Sequence, residues 1–332
     1  MTRQLAMIPG DGIGPEVVAA AIEIIEASGV KATWTELHAG RAAHEKFGDP
    51  LPEATLEGVR AADATLKGPT ATAKGIGFRS VNVALRQKLV LYANYRPAKT
   101  MPGILSRYED VDLIVVRENT EGLYSGLEHE VVDGVVESLR IISRKASERI
   151  ARFAFETARK QKRKRVTCVH KANILKLSDG LFLECCGRVA KEFPDIEFND
   201  SIVDATAMQM VRNPQEYDVL VMENLFGDIL SDLSSGLVGG LGVTPSANIG
   251  DGIAVFEAVH GTAPDIAGKG IANPTALVLS GVLMLRYLGE EGPADAIEQA
   301  VRSVILAGET LTGDLGGKAD TAQFVAAVIG QL

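Results

Sequence analysis

Two aspartates in the stretch ENLFGDILSDLSSG (residues 223–236) have the type and the spacing to do chemistry. Asp228 and Asp232 stand four residues apart in a helical pattern, so their carboxylates share one face. Like charges so placed weaken a helix unless a cation joins them. Hard oxygen donors with no accompanying His/Cys cluster favour Mg2+ or Mn2+ over zinc; the alternative is a solvated surface pair. Asp204, in SIVDATAMQM, follows a predicted strand, where α/β proteins place ligands, and offers a third carboxylate.

Basic residues gather upstream of these acids. RSVNVALRQKLVLYANYRP carries Arg79, Arg86 and Arg96, and VVRENTEGLYSG adds Arg117 at a strand end. Guanidinium forks match carboxylates bidentately. In a chain of net charge −9, such a cluster points to a small polyanion such as a di- or tricarboxylate. Ser80 and Asn82 precede Arg86 by six and four residues and would add polar contacts, although Ser80 reads equally as a helix N-cap. Lys171, in CVHKANILKLSDG, follows an apolar strand; near a metal and arginines its pKa would fall, which suits acid–base work. Tyr124, in EGLYSG, is a candidate proton donor or else a packed loop aromatic.

Two stretches could meet a nucleotide. MIPGDGIGPE (7–16) resembles a dinucleotide-binding turn, but the third glycine of G-x-G-x-x-G falls on Pro15, which has no N–H. Glu36 is a weak candidate for a ribose ligand, and the stretch reads as a tight strand-to-helix turn. EAVHGTAPDIAGKGIANP (257–274) is small-residue loop, suited to wrapping a nucleotide with its backbone. Within it Asp265 can accept hydrogen bonds from ribose hydroxyls, and its charge would repel a 2′-phosphate.

The elements that must position these groups alternate, as in an α/β protein. Strands are predicted at 4–9, 32–37, 64–68, 111–116, 165–170, 196–203, 217–222 and 253–259. Helices are predicted at 15–28, 52–62, 80–88, 146–161, 178–193, 205–212, 226–238, 274–288, 293–307 and 320–331. EHEVVDGVVESLRIISR (128–144) breaks the alternation; its β-branched residues and Asp133-Gly134 predict an antiparallel hairpin arm. KQKRKR (160–165) reads as cations at a helix C-terminus. With 332 residues the chain can form one large or two medium domains, and its acidity argues against general nucleic-acid binding. Three cysteines, Cys168, Cys185 and Cys186, fit a reducing compartment, the adjacent pair reduced on a helix. No secretory h-region and no long apolar run is present, so a soluble cytoplasmic protein is expected.

Over essentially its whole length the chain resembles the β-decarboxylating dehydrogenases of isocitrate, 3-isopropylmalate and homoisocitrate. GDGIGPE, NYRP, RENTEGLYSG, HKAN, GDILSDL and HGTAPDIAGK occur in that family's order. The resemblance implies an α/β fold that is not Rossmann, with two domains around a cleft and a β-hairpin arm. It assigns 1–95 plus 240–332 to a large cofactor-binding domain and 96–239 to a small domain for substrate, metal and dimerisation, with the arm at 122–144. It implies a homodimer with shared active sites, a tetramer being the alternative.

The same resemblance implies roles. Arg86, Arg96 and Arg117 would hold substrate carboxylates; Asp204, Asp228 and Asp232 would bind Mg2+ or Mn2+, with Lys171 and Asp204 supplied by the partner subunit. Lys171 would help remove the hydroxyl proton, and Tyr124 would protonate the enolate after CO2 is lost. Ser80 and Asn82 match the isocitrate enzymes, where the isopropylmalate enzymes place apolar residues. The cofactor residues would be Ile13, Thr70, His260, Gly261, Ala263, Asp265, Ile266 and Asn273. NADP-preferring bacterial relatives carry lysine and tyrosine where this chain has Asp265 and Ile266, so NAD is expected. The expected activity is NAD-dependent oxidative decarboxylation of isocitrate. Homoisocitrate or 3-isopropylmalate dehydrogenase and a non-catalytic regulatory subunit remain alternatives.

Overall fold

The computed structural model describes residues 2–71 and 80–332, which group into two compact units. The chain begins in the first unit with β1 (Arg3–Ile8), α1 (Gly14–Ala27), β2 (Ala32–Glu36), α2 (Arg41–Phe47), α3 (Glu53–Ala61), β3 (Ala64–Lys67) and α4 (Val81–Lys88). The second unit supplies β4 (Ala93–Lys99), β5 (Asp112–Glu118), β6 (Gly122–Val132), β7 (Val135–Ile141), α5 (Arg144–Lys160) and β8 (Arg165–His170). It continues with α6 (Ser178–Ala190), β9 (Glu197–Ile202), α7 (Val203–Arg212), β10 (Val219–Met222) and α8 (Asn224–Leu237). The first unit resumes with β11 (Pro245–Ile249), β12 (Ala254–Ala258), α9 (Thr275–Tyr287), α10 (Glu291–Ala307) and α11 (Thr321–Ile329). Residues 100–107, placed in the central domain by the sequence reading, group with the first unit.

The strands of the first unit run in the order β2-β1-β3-β12-β11, all parallel except β11, which pairs antiparallel with β12. That order and the reversed strand set it apart from the doubly wound dinucleotide fold. Apolar residues of β1, α3, α4 and β12, among them Ile8, Leu56, Leu85 and Val255, pack into one buried cluster. In the second unit the order is β4-β5-β10-β8-β9, with only β4 antiparallel to its neighbour. Its central strands β5 and β10 are buried on both faces, which explains the continuous apolar runs LIVV and VLVM. All three cysteines are free and buried, as the reduced reading expects.

The hairpin forms within the expected arm, starting at Gly122 rather than 128: β6 and β7 pair antiparallel around a turn in which Gly134 has φ +75°. Leu127, Val131, Val132, Val135, Val136 and Leu139 of this ribbon are exposed. A two-stranded ribbon with apolar side chains open to water is a surface in want of a cover. Of the KQKRKR run, Lys160 does end α5, while Arg163 is drawn into ion pairs with Asp112 and Asp218. No helix among the described residues is long and apolar enough to cross a membrane.

Three elements were not read from the sequence: α2, β4 and β11. Helix α2 starts where its chain neighbours give no cap; the Asp11 carboxylate accepts the N–H groups of Arg41 and Ala42 instead, at 3.0 and 3.2 Å. Strand β4 carries Asn94 and Arg96 with both side chains buried, so it shows no apolar alternation.

Candidate active site

In the second unit, α8 presents Asp228 and Asp232 beside two arginines that reach it from the sheet. Arg117, on β5, is 1% exposed. It donates from Nε and Nη2 to Asn224 Oδ1, at 2.9 and 2.7 Å, and from Nη1 to Asp228 Oδ1. Arg96, on β4, donates from Nη1 to Ser231 Oγ (2.6 Å) and to Asp232 Oδ1 (3.0 Å). The like-charge pair on the helix is therefore matched by two buried cations, as the spacing required. Gly227 makes room for this: a Cβ there would lie 2.4 Å from Arg117 Cγ. Asn224 and Ser231, which anchor the guanidinium groups, were not singled out from sequence. Their spacing of four and one from the two acids was the available signal.

Tyr124, on β6, donates its hydroxyl to Asp228 Oδ2, and the Arg117 guanidinium lies over its ring at 4.9 Å. Burial and the Asp228 charge push its pKa above the ordinary tyrosine value, so the hydroxyl stays protonated. Asp232 is also held above the usual carboxylate range, by burial first and by Asp228 as a like charge, against the opposing pull of Arg96. This half-buried acid is incompletely neutralised, and two hard oxygen donors one helical turn apart fit a divalent cation of the Mg2+ type.

Asp204 does not join them. It sits exposed in the first turn of α7 and accepts from Lys171 Nζ, and that contact lowers its pKa. Among the described residues no three His, Cys, Asp or Glu side chains converge on one point. Lys171 follows β8, and its backbone N–H is fixed by Asp179 Oδ2 at 2.6 Å.

In the first unit, Arg86 ends α4 and is nearly buried. Its Nη2 donates to Glu257 Oε1 at 2.9 Å, and its buried Nε has no hydrogen-bond partner among the described residues. Glu257 also accepts from Lys67 Nζ (2.6 Å) and Asn248 Nδ2 (2.8 Å). Lys67 and Glu257 escaped the sequence reading, although each is one charge in an otherwise apolar strand. Asn82 accepts from Thr70 Oγ1 at 2.8 Å. Ser80 stands at the N-cap of α4 without a side-chain cap bond. Arg79 lies outside the described residues.

The loop after β12 carries the remaining cofactor candidates. Gly12, with φ +62°, lets the first turn approach this loop; a Cβ there would lie 2.0 Å from Thr262 O, and the Ile13 N–H donates to that oxygen. The glycines of MIPGDGIGPE thus serve close backbone packing, which Gly alone permits. Ile13 is buried at the start of α1. His260 has a buried Nε2 with no hydrogen-bond partner, and burial lowers its pKa, so the ring is neutral. Next to the exposed Gly261, Ala263 adopts a left-handed φ of +38°, uncommon without glycine, and Ile266 N–H closes the turn onto its carbonyl. Asp265 is exposed. Asn273 is engaged in structure: its Oδ1 accepts the Thr275 N–H at the start of α9, and its Nδ2 donates to Asp314. An unpartnered ring nitrogen and a free acid on one strained loop fit a ribose-bearing ligand.

Comparison with known proteins bears on what this arrangement serves. The family model described as isocitrate/isopropylmalate dehydrogenase matches residues 4–328. A crystal structure of isocitrate dehydrogenase from Methylococcus capsulatus is 56% identical and superposes with a TM-score of 0.96 over 99% of both chains. Isocitrate dehydrogenase [NAD] catalytic subunit 5, mitochondrial, of Arabidopsis thaliana is 52% identical over 98% of this chain and 87% of its own length. The chloroplastic 3-isopropylmalate dehydrogenase of Solanum tuberosum is also 52% identical, over 91% of this chain and 85% of its own.

Proposed function

We propose a function on the premise that this chain belongs to the isocitrate/isopropylmalate dehydrogenase family. It catalyses the NAD-dependent oxidative decarboxylation of isocitrate to 2-oxoglutarate and CO2, with Mg2+ or Mn2+. The observation that carries the reading is the assembly of Arg96, Arg117 and Tyr124 on the Asp228–Asp232 face, beside the likeness to isocitrate dehydrogenases.

The side chains divide the work. Arg96 and Arg117 are pinned by Ser231, Asn224 and the aspartates, so their guanidinium groups are oriented in advance for substrate carboxylates. Arg86 is aimed by Glu257 in the same way, its Nε left to a ligand. Lys171 of a second copy would help remove the proton of the C2 hydroxyl. Tyr124, held protonated, returns a proton to carbon once CO2 has left. A divalent cation on Asp228 and Asp232, completed by Asp204 of a second copy, would polarise the C2 oxygen. Asp265 would accept from the ribose hydroxyls of NAD, which would supply the hydride acceptor.

Polarity favours isocitrate as substrate. Asn82, on the helix that carries Arg86, accepts from Thr70 of the loop after β3, a polar pair that suits a third carboxylate and mismatches an alkyl group. The second reading, 3-isopropylmalate, is favoured by the Solanum tuberosum relative. NADH formation with isocitrate, homoisocitrate and 3-isopropylmalate decides: kcat/KM should be highest on isocitrate by at least about 100-fold, the worth of a satisfied polar contact. A higher value on either other acid overturns the assignment. Retention of Asp228, Lys171 and Tyr124 speaks against a non-catalytic subunit, and turnover by the purified homomer tests it.

The exposed apolar ribbon of β6 and β7 supports a homodimer in which this arm is covered. For the cofactor, the double variant Asp265→Lys, Ile266→Tyr should move the NAD/NADP ratio of kcat/KM towards NADP by about tenfold or more, since a cation replaces a group that repels the 2′-phosphate. An unchanged ratio removes Asp265 from the cofactor site.

A further inference from the structure

Arg140 stands in strand β7 of the hairpin arm, yet its guanidinium points into the body of the second unit and is mostly buried. Nη1 donates to Asp179 Oδ1, and Nη2 lies 3.4 Å from Glu223 Oε1. The guanidinium also stacks over the Phe226 ring at 5.1 Å. Both acids are almost wholly buried, 1% and 3% exposed.

Each acid holds something else with its remaining capacity. Asp179 Oδ2 accepts the backbone N–H of Lys171 at 2.6 Å. Glu223 accepts the N–H groups of Leu225 and Phe226, at 3.1 and 2.9 Å, in the first turn of α8. That helix carries Asp228 and Asp232 one and two turns further on. A single guanidinium thus joins three things: the arm, the segment that presents Lys171, and the helix that presents the paired carboxylates. Sequence gave no sign of this, because Arg140, Asp179 and Glu223 are far apart in the chain and match no motif.

We propose that Arg140 is a positioning residue through which the docked arm fixes Lys171 and the first turn of α8 in their working places. The proposal rests on the functional reading above for the identity of the reaction. Its physical basis does not: two buried carboxylates share one cation, and each also accepts backbone N–H groups, Asp179 on its other oxygen and Glu223 on both. Removing the cation leaves two buried acids to repel each other, and the N–H groups they accept are then held less firmly. Lysine at 140 keeps the charge but has no planar fork, so it can serve one acid well and not both.

The test uses the full-length protein as Arg140→Lys and Arg140→Met, with Asp179→Asn as an independent cut of the same link. Amide hydrogen exchange is the readout that needs no substrate. Exchange at Lys171, Leu225 and Phe226 should speed up tenfold or more in Arg140→Met, and less in Arg140→Lys. Asp179→Asn should release Lys171 but leave Leu225 and Phe226 protected. In kinetics on the best substrate, kcat should fall by 30-fold or more in Arg140→Met, with partial rescue in Arg140→Lys and KM for the acid within threefold of the parent. If the parent turns over none of the three acids, the functional reading fails while the exchange result still stands or falls alone. Unchanged exchange at the three amides overturns the proposal, and so does an effect confined to KM. If Arg140→Met does not fold, Arg140→Lys and Asp179→Asn carry the same comparison, and parental exchange in both overturns it.

Discussion

Asp228→Asn is expected to lower kcat by about a thousandfold while leaving NADH binding within about threefold of the parent, in the range that general acid–base and charge-stabilising groups supply. The size follows from how many groups converge on this one carboxylate. Oδ1 accepts from Arg117 and Oδ2 from Tyr124, and one turn further on Asp232 accepts from Arg96. Asparagine matches the shape but has one acceptor and no charge. Its NH2 would face either the Arg117 fork or the Tyr124 hydroxyl, both of which are donors towards this position. Arg117, buried to 99% of its surface, then loses half of its pairing and its orientation. The divalent cation of the proposed reaction would lose one of the two carboxylates that α8 offers it. Steady-state kinetics at saturating metal, with NADH binding followed by fluorescence, checks the result. A kcat within tenfold of the parent would remove Asp228 from the reaction.

How far the sequence could anticipate such a site depends on the range over which each interaction acts. Asp228 and Asp232 were legible because a helix places residues four apart on one face, a local rule. Arg96 and Arg117 were legible as types, but their matching to Asn224, Ser231 and the two acids depends on β4 and β5 being neighbours, which no local pattern states. Strand β4 itself was hidden because its buried positions hold Asn94 and Arg96, where alternation expects apolar residues. Helix α2 was hidden for a different reason: its cap, Asp11, lies thirty residues upstream. The glycines of MIPGDGIGPE gave a signal with two physical causes, close approach to a phosphate or close approach to another chain segment. Pro15 excluded the full fingerprint, and Thr262 O against Gly12 shows the second cause at work. Asp204 illustrates the reverse limit. Its residue type and its place after a strand suggested a ligand, but within one chain it pairs with Lys171.

The buried charges of the first unit lead to the other large effect. Glu257→Ala is expected to cost about 3–5 kcal/mol of folding stability, the usual consequence of stranding buried partners. Lys67 is wholly buried and Arg86 nearly so. With Glu257 gone, both cations and the Asn248 amide lose this carboxylate at once, and Lys67 keeps the uncharged Gly68 carbonyl. Lys67→Met should cost less, because Glu257 keeps Arg86 and Asn248; the double variant Lys67→Met, Glu257→Ala should cost less than the sum of the two. The pH dependence has a definite sign. Lys67 and Arg86 overcome the penalty of burial and hold the folded pKa of Glu257 far below its ordinary value of 4.5. A carboxylate depressed on folding contributes its full stability above the unfolded value and loses it as pH falls through the folded one. The gap between parent and Glu257→Ala should therefore stay level from about pH 9 down to about pH 5, then narrow in more acid solution. Denaturant unfolding at a series of pH values measures both features. A gap under about 1 kcal/mol at neutral pH would show that the two cations find other partners, and a gap that widens in acid would reverse the assigned charge state of Glu257. Function should follow stability here in a separable way: Glu257→Gln keeps the volume and one acceptor for Arg86. It should raise KM for the tricarboxylate more than it lowers kcat, because the charge that aims Arg86 is lost while Tyr124, Lys171 and the paired aspartates are untouched.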